Sequence, residues 1–130
     1  MSLFEKLKGT PLADYTPRGK KNPVTELEII DLVVGDGEAC PPDATITAHY
    51  TGALVTDGTV FESSRDSGNP ATFGLHQVID GWTQGVPGMK IGGTRRLIIP
   101  AALAYGQRRA SAMIGPNSDL VFDIELIAVK

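Results

Sequence analysis

The residues able to do chemistry are few, and their spacing brings few of them together. His49 and His76 stand 27 positions apart, and the lone Cys40 has no second thiol near it. Neither pattern matches the paired ligands of a zinc site. The stretch Gly88–Thr94 (Gly-Met-Lys-Ile-Gly-Gly-Thr) has the outline of a phosphate loop, but it lacks a lysine after its last glycine and leads into a strand-like segment. Ser63-Ser64 is not set in a Gly-x-Ser-x-Gly elbow. Glu62 and Asp66 could form an acid–base pair, although isolated acids beside a hairpin more often hydrogen-bond locally or face water. Arg108-Arg109-Ala110-Ser111 has the basic character that some kinases accept. No covalent, metal, nucleotide or cofactor chemistry is expected from these residues.

The aromatic residues are more informative. Phe4 and Tyr15 precede the first clear strand, and six others follow: Tyr50, Phe61, Phe73, Trp82, Tyr105 and Phe122. They come from separate segments, and converging aromatics are the material of a compact apolar cavity. On spacing alone, the plainer reading is a packed core. Tyr50 and Tyr105 add a second possibility. A buried tyrosine hydroxyl needs a partner, and at a cavity mouth that partner can be a ligand carbonyl.

The elements that must position these residues are mostly strands. The chain has 130 residues, enough for one domain, with 15 glycines and 9 prolines that force frequent turns. Leu27–Val34 is β-branched and apolar. Thr45–Thr51 alternates with Ile46, Ala48 and Tyr50 on one face, continues toward Val55 and turns at Asp57-Gly58. Val60–Ser63 returns, and Arg65–Pro70 is a loop before a short extended piece, Ala71–Phe73. Val78–Val86 is the best helix, weakened by Gly81 and Gly85 and ended by Pro87-Gly88. Burial of Trp82 and Val86 must therefore hold it. Thr94–Ile99 is a strand, Ala101–Tyr105 a single helical turn and Gln107–Asn117 a long connection. Leu120–Val129 is a final strand with Leu120, Phe122, Ile124 and Leu126 on one face. The expected fold is α+β: a curled antiparallel sheet of about five strands packed on one short central helix.

Charge and punctuation divide the chain. Residues 1–23 form a leader broken by Gly9, Pro11, Pro17, Gly19 and Pro23, with a short helix conceivable at Leu3–Lys8. Residues 24–130 form the domain. The first 25 residues carry five basic and two acidic groups, net +3, and the remainder carries seven basic and thirteen acidic groups, net −6. An acidic body is a poor surface for nucleic acid. The basic leader reads most simply as a solvated tail, with a partner, an anionic surface or the body itself as other possible contacts. No apolar run approaches the ~20 residues of a membrane helix, and no secretory signal is visible at the start. A single cysteine fits a reducing compartment, and cytoplasmic placement is expected; a monomer is expected as well.

Five motifs together carry a resemblance: His49-Tyr50-Thr51-Gly52, Phe61-Glu62-Ser63-Ser64-Arg65-Asp66, Val78-Ile79-Asp80-Gly81-Trp82, Ala104-Tyr105-Gly106 and Leu120-Val121-Phe122-Asp123. In this order and spacing, from Leu27 to Val129, the chain resembles the FK506-binding protein family of peptidyl-prolyl cis-trans isomerases. The leader lies outside the resemblance. The resemblance implies a site with Trp82 as its floor and Tyr50, Phe61, Phe73, Val78, Ile79, Tyr105, Met113, Ile114 and Phe122 as substrate-binding residues. It also implies catalytic roles for Tyr105, Glu62 and Ile79, the first through its hydroxyl and the last through its backbone N–H.

The implied activity is rotation about X–Pro bonds in a non-covalent aromatic pocket, assisting protein folding and needing no cofactor. The implied partners are proline-containing peptides, unfolded proteins and macrolides of the FK506 or rapamycin type. This sequence departs from the family pattern at Glu62, where an aspartate is usual, and at Ala71, where an aromatic is common. The loop after Tyr105 lacks the usual glycines, has Ala110 in place of a frequent histidine, and carries Gly115-Pro116 for a common Pro-Pro. These departures bear on macrolide affinity and peptide preference. They also motivate an alternative, a proline-recognising binding module or chaperone-like adaptor with weak turnover.

Overall fold

Strict alternation from Thr45 onward builds the strand on which everything else is arranged. In the computed structural model, which describes residues 6–130, the strands are β1 (Glu28–Val33), β2 (Thr45–Leu54), β3 (Val60–Ser63), β4 (Ala71–Gly74), β5 (Thr94–Ile99) and β6 (Leu120–Val129). One α-helix, α1 (Asp80–Gly85), lies between β4 and β5. All strand pairs are antiparallel, in the order β1-β5-β6-β2-β3, with β4 also paired to β2. The expected class is observed, with the short piece at Ala71 now a sixth strand. Its register, Ile46 with Phe73 and Ala48 with Ala71, places Phe73 beside the central strand.

The inner face is the core. Ile46, Ala48, Leu97, Ile99, Leu120, Ile124 and Leu126 have no exposed surface, and they pack with Leu75, Trp82 and Val86. α1 begins two residues later than the apolar pattern predicts, because Ile79 adopts an extended ψ of 150° and caps the helix. Gly81 and Gly85 do more than lower helix propensity. A Cβ on Gly81 would sit 2.6 Å from Ile99 Cγ2, and one on Gly85 would sit 2.7 Å from Leu97 Cδ2. These two positions are one helical turn apart on one face. They let α1 lie directly on β5, so its burial compensates for its weak backbone preference.

The leader corrects an expectation. It is not a solvated tail: from Leu7 onward it runs over the outer face of the sheet. Gly9 N donates to Val60 O at 2.7 Å, Val60 N to Thr10 O at 2.9 Å and Leu12 N to Gly58 O at 2.8 Å. Leu12 and Val24 are buried with Ala53, Val55, Val60, Ile98 and Val121, forming a second apolar cluster against which Tyr15 packs. That cluster explains why Val121, which alternation assigns to the outer face of β6, is as buried as its inward neighbours. The conceivable helix at Leu3–Lys8 falls partly on residues 1–5, outside the described residues, and Lys6–Lys8 are not helical.

Polar anchors hold the leader in place. The Arg96 guanidinium forms a two-pronged pair with Asp123 at 2.7 and 2.8 Å, and donates to the carbonyls of Asp14 and Ala13 at 2.8 and 3.0 Å. With Arg96 only 7% exposed, these four bonds satisfy a charge that would otherwise be costly to bury. Asp119 accepts from Val24 N and Ala101 N, each at 2.9 Å, joining the end of the leader to the segment before Tyr105. β1, though apolar in sequence, adds little core: as the edge strand it leaves Ile29, Leu32, Val33 and Val34 about half exposed or more.

Candidate active site

The curl of the sheet leaves a cavity of about 560 Å³ at one end of the core. β2 supplies Tyr50, β3 Phe61 and Glu62, β4 Phe73 and β6 Phe122. Val78, Ile79, Asp80 and Trp82 come from α1 and its entry, and Ala104, Tyr105 and Arg108 from the segment after β5. Trp82, 4% exposed, is the floor. Around it stand Phe73, Phe122 and Tyr50, with ring centroids 5.2, 5.3 and 5.6 Å away and planes inclined by 76–84°. Such edge-to-face contacts place the positive ring edges against neighbouring faces and fix the rings without filling the cavity. Phe61 meets Phe122 in the same way at 5.7 Å.

A gap in the central strand makes this ring possible. A Cβ on Gly52 would lie 2.6 Å from both Phe61 and Phe122. The pair of rings occupies the space that any other residue there would fill.

Polar groups set the walls. The Ser63-Ser64 pair ties β3 to β2. Ser64 Oγ accepts from Tyr50 N at 2.8 Å and contacts His49 Nδ1 at 2.9 Å, while Ser63 Oγ bonds Thr51 Oγ1 at 2.8 Å. These bonds fix Glu62 and Tyr50 on adjacent strands. Burial, and then the nearby Glu62 carboxylate acting by its charge and as an acceptor, push the Tyr50 hydroxyl up to about 12. Tyr50 therefore remains a neutral donor throughout the physiological range.

Ile79 accepts from Trp82 N and Thr83 N through its carbonyl, but no acceptor among the described residues takes its own N–H. Trp82 Nε1 is also buried without a hydrogen-bond partner. Asp66, weighed above as a catalytic acid, is committed elsewhere: its carboxylate accepts from Leu7 N at 2.6 Å and Lys8 N at 3.1 Å.

The cavity gathers Tyr50, Phe61, Glu62, Phe73, Val78, Ile79, Trp82, Tyr105 and Phe122. Met113 and Ile114 lie apart from it, in an adjoining depression of about 330 Å³ that shares Phe61, Glu62 and Tyr105 with the main one. Ile114 is itself buried at 4% exposure, so it supports the wall more than it presents a surface. Ala71 is not among the lining residues, and the wall along β4 ends at Phe73. Gln77, Asp80, Ala104 and Arg108 line the cavity without having been singled out as site residues. Each lies within three positions of one that was, which is the signal that would have found them.

A sheet curled over one short helix, with a tryptophan-floored aromatic cavity at one end of its core, defines a small domain built to take an apolar group non-covalently. Comparison with known proteins narrows this. The family of FKBP-type peptidyl-prolyl cis-trans isomerases matches residues 37–127. Peptidyl-prolyl cis-trans isomerase FPR2 of Saccharomyces cerevisiae is 50% identical over 91 residues, covering 68% of this chain and 67% of that protein. An FK506-binding protein of Streptomyces anulatus is 46% identical over 122 residues, 92% of this chain and 96% of the relative. The crystal structure of FkpA from Escherichia coli is similar at a TM-score of 0.73 and 43% identity, covering 80% of this chain but only 48% of that one. The chain belongs to the FKBP-type peptidyl-prolyl cis-trans isomerase family.

Proposed function

We propose that this chain binds proline-containing segments in the aromatic cavity and catalyses rotation about the X–Pro bond, with Tyr105, Ile79 and Glu62 as the acting polar residues. The observation that carries this reading is the Trp82 floor ringed edge-on by Tyr50, Phe73 and Phe122. It offers a proline ring a dry, flat seat. Uncatalysed rotation crosses a barrier of ~20 kcal/mol because amide resonance resists twisting. The twisted amide has lost conjugation and part of its dipole, so it loses less hydration in an apolar cavity than the planar form does. The Tyr105 hydroxyl and the Ile79 N–H supply donors for substrate carbonyls on either side of the twist. Stabilisation that is larger in the twisted form than in the ground state lowers the barrier. Glu62 acts through Tyr50, its carboxylate accepting from the phenol and fixing it at the cavity wall.

The same cavity supports binding of an FK506-type macrolide, the property for which the Streptomyces relative is named. Glu62 in place of the usual aspartate, Ala71 in place of a common aromatic and the altered loop after Tyr105 are the positions that bear on that affinity. We assign the isomerase domain to residues 24–130 and regard residues 1–23 as an accessory segment. We place the protein in the cytoplasm as a monomer. The support for this compartment is the single buried thiol of Cys40, and no helix among the described residues is long and apolar enough to cross a membrane.

A protease-coupled assay on short X–Pro peptides tests the reading. Catalysis is expected, with competitive inhibition by an FK506-type macrolide. Saturable peptide binding without acceleration of isomerisation would instead identify a binding module.

A further inference from the structure

The loop between Tyr105 and β6 carries a feature that rotation about X–Pro does not use. We propose that Ser111 is a phosphorylation site for a serine kinase that reads basic residues, and that its phosphate retunes which residues beside the proline are accepted. The effect on substrates rests on the isomerase reading above; the modification does not.

Arg108-Arg109-Ala110-Ser111 sets two arginines three and two positions before a serine, and no other serine or threonine in the chain has a basic pair there. A kinase with an acidic substrate groove pairs such arginines with its own carboxylates and needs a segment that it can hold extended. The fold supplies one. Residues 107–112 are all exposed, and 108–114 belong to no helix or strand. The ion pairs among the described residues are Arg18–Glu28, Arg65–Glu125, Arg95–Asp31 and Arg96–Asp123, so neither Arg108 nor Arg109 is held by a carboxylate. Arg109 Nη1 donates only to the carbonyls of Ser111 and Ala112, at 3.3 and 3.4 Å on an exposed surface. Ser63 and Ser64, by contrast, are buried and bonded to β2.

In the transfer, Ser111 Oγ bonds to the γ-phosphorus of ATP as the bond from that phosphorus to the oxygen retained by ADP breaks. The hydroxyl proton passes to the kinase's catalytic carboxylate. Before modification, Ser111 Oγ accepts from Met113 N and Ile114 N at 3.3 and 3.2 Å. The ester adds three acceptor oxygens and a charge of about −1.5 to −2 near pH 7. Arg109, already on the Ser111 carbonyl, is placed to pair with it.

That charge falls at the edge of the active centre. Ser111 lines the depression of about 330 Å³ that shares Phe61, Glu62 and Tyr105 with the proline cavity. Lys8 and Glu62 are the charged residues of its lining and oppose each other, so a phosphate turns a nearly balanced rim negative. Trp82, Phe73 and Phe122 do not border the depression, and the seat for the proline ring is left as it was. A residue flanking the bound proline meets the new charge instead.

The test treats the full folded chain with ATP and the catalytic subunit of a cyclic-AMP-dependent protein kinase as the probe. About one phosphoryl group per chain is expected, located on Ser111 by tandem mass spectrometry and abolished by Ser111→Ala. Arg109→Ala should slow incorporation roughly tenfold, the scale of one lost charge-assisted bond. No incorporation, phosphate on another residue, or incorporation into heat-unfolded but not folded chain overturns the site. Then kcat/KM is compared for matched peptides with Lys or Glu beside the proline. Phosphorylation should raise the Lys-to-Glu ratio about threefold at low salt, the scale of a partly exposed ion pair. The gain should shrink at high salt. An unchanged ratio in fully phosphorylated protein overturns the retuning. Absence of catalysis by the unmodified chain would overturn the isomerase reading and the retuning with it, while incorporation at Ser111 decides the site independently.

Discussion

Trp82 and Tyr105 divide the work at the residue scale, one by shape and the other by a single donor. Tyr105→Phe removes one hydrogen bond that matters most in the twisted state, and should lower kcat/KM by roughly fivefold, about 1 kcal/mol. Its urea midpoint should be unchanged, because the phenyl ring keeps its packing. Tyr50 behaves differently. An unfolded tyrosine titrates near 10, and this one near 12. Between those values the folded chain holds a proton that the unfolded chain has released, so stability is intact below pH 10 and declines as pH rises toward 12. Burial pushes the Tyr15 hydroxyl up as well, which adds to the same decline. Urea midpoints should hold between pH 8 and pH 10 and fall between pH 10 and pH 11. A flat profile would mean that burial and the nearby Glu62 carboxylate do not hold the Tyr50 hydroxyl protonated.

Glycine has opposite meanings in different elements. In an isolated helix, Gly→Ala adds about 1 kcal/mol. In α1 it should do the reverse, because the new methyl at Gly81 or Gly85 meets Ile99 or Leu97 at under 3 Å. Gly85→Ala is expected to cost ~1–3 kcal/mol in urea unfolding, the usual scale of overpacking. Sequence reasoning saw the poor propensity of this helix and its need for burial, but not the reason for the glycines. That reason lies in the opposing strand, 12 to 18 residues away in the chain. Strand positions were legible, because period-two alternation needs only local sequence. The start of α1 was not, since Val78 and Ile79 fit an apolar pattern that continues into the helix while their backbone serves the cavity. The motifs around Tyr50, Phe61, Trp82, Tyr105 and Phe122 carried the cavity itself. Gly52 and the separate setting of Met113 and Ile114 became visible only in three dimensions.

The whole molecule is a sheet with two covered faces, and its leader is the second cover. Composition hid this, because residues 7–24 contain few apolar groups and many turn formers; the groups that matter are Leu12, Tyr15 and Val24, which a periodicity search passes over. Deleting residues 1–23 should uncover Val121, Ala53 and Ile98 and strip Arg96 of two carbonyl partners. A fall in Tm of about 5 °C or more is expected from the loss of burial alone. Thermal unfolding of the truncated chain checks this, and an unchanged Tm would return the leader to the status of a tail. The central claim concerns the cavity at the other face. Two-dimensional NMR exchange spectroscopy on an Ala-X-Pro-Phe peptide, with catalytic amounts of protein, reads rotation without any coupled enzyme. Strong cis–trans exchange peaks are expected with the wild type, and a folded Trp82→Leu, Tyr105→Phe double variant should lose most of their intensity. Exchange of equal strength in the two proteins, or none with the wild type, would contradict the account.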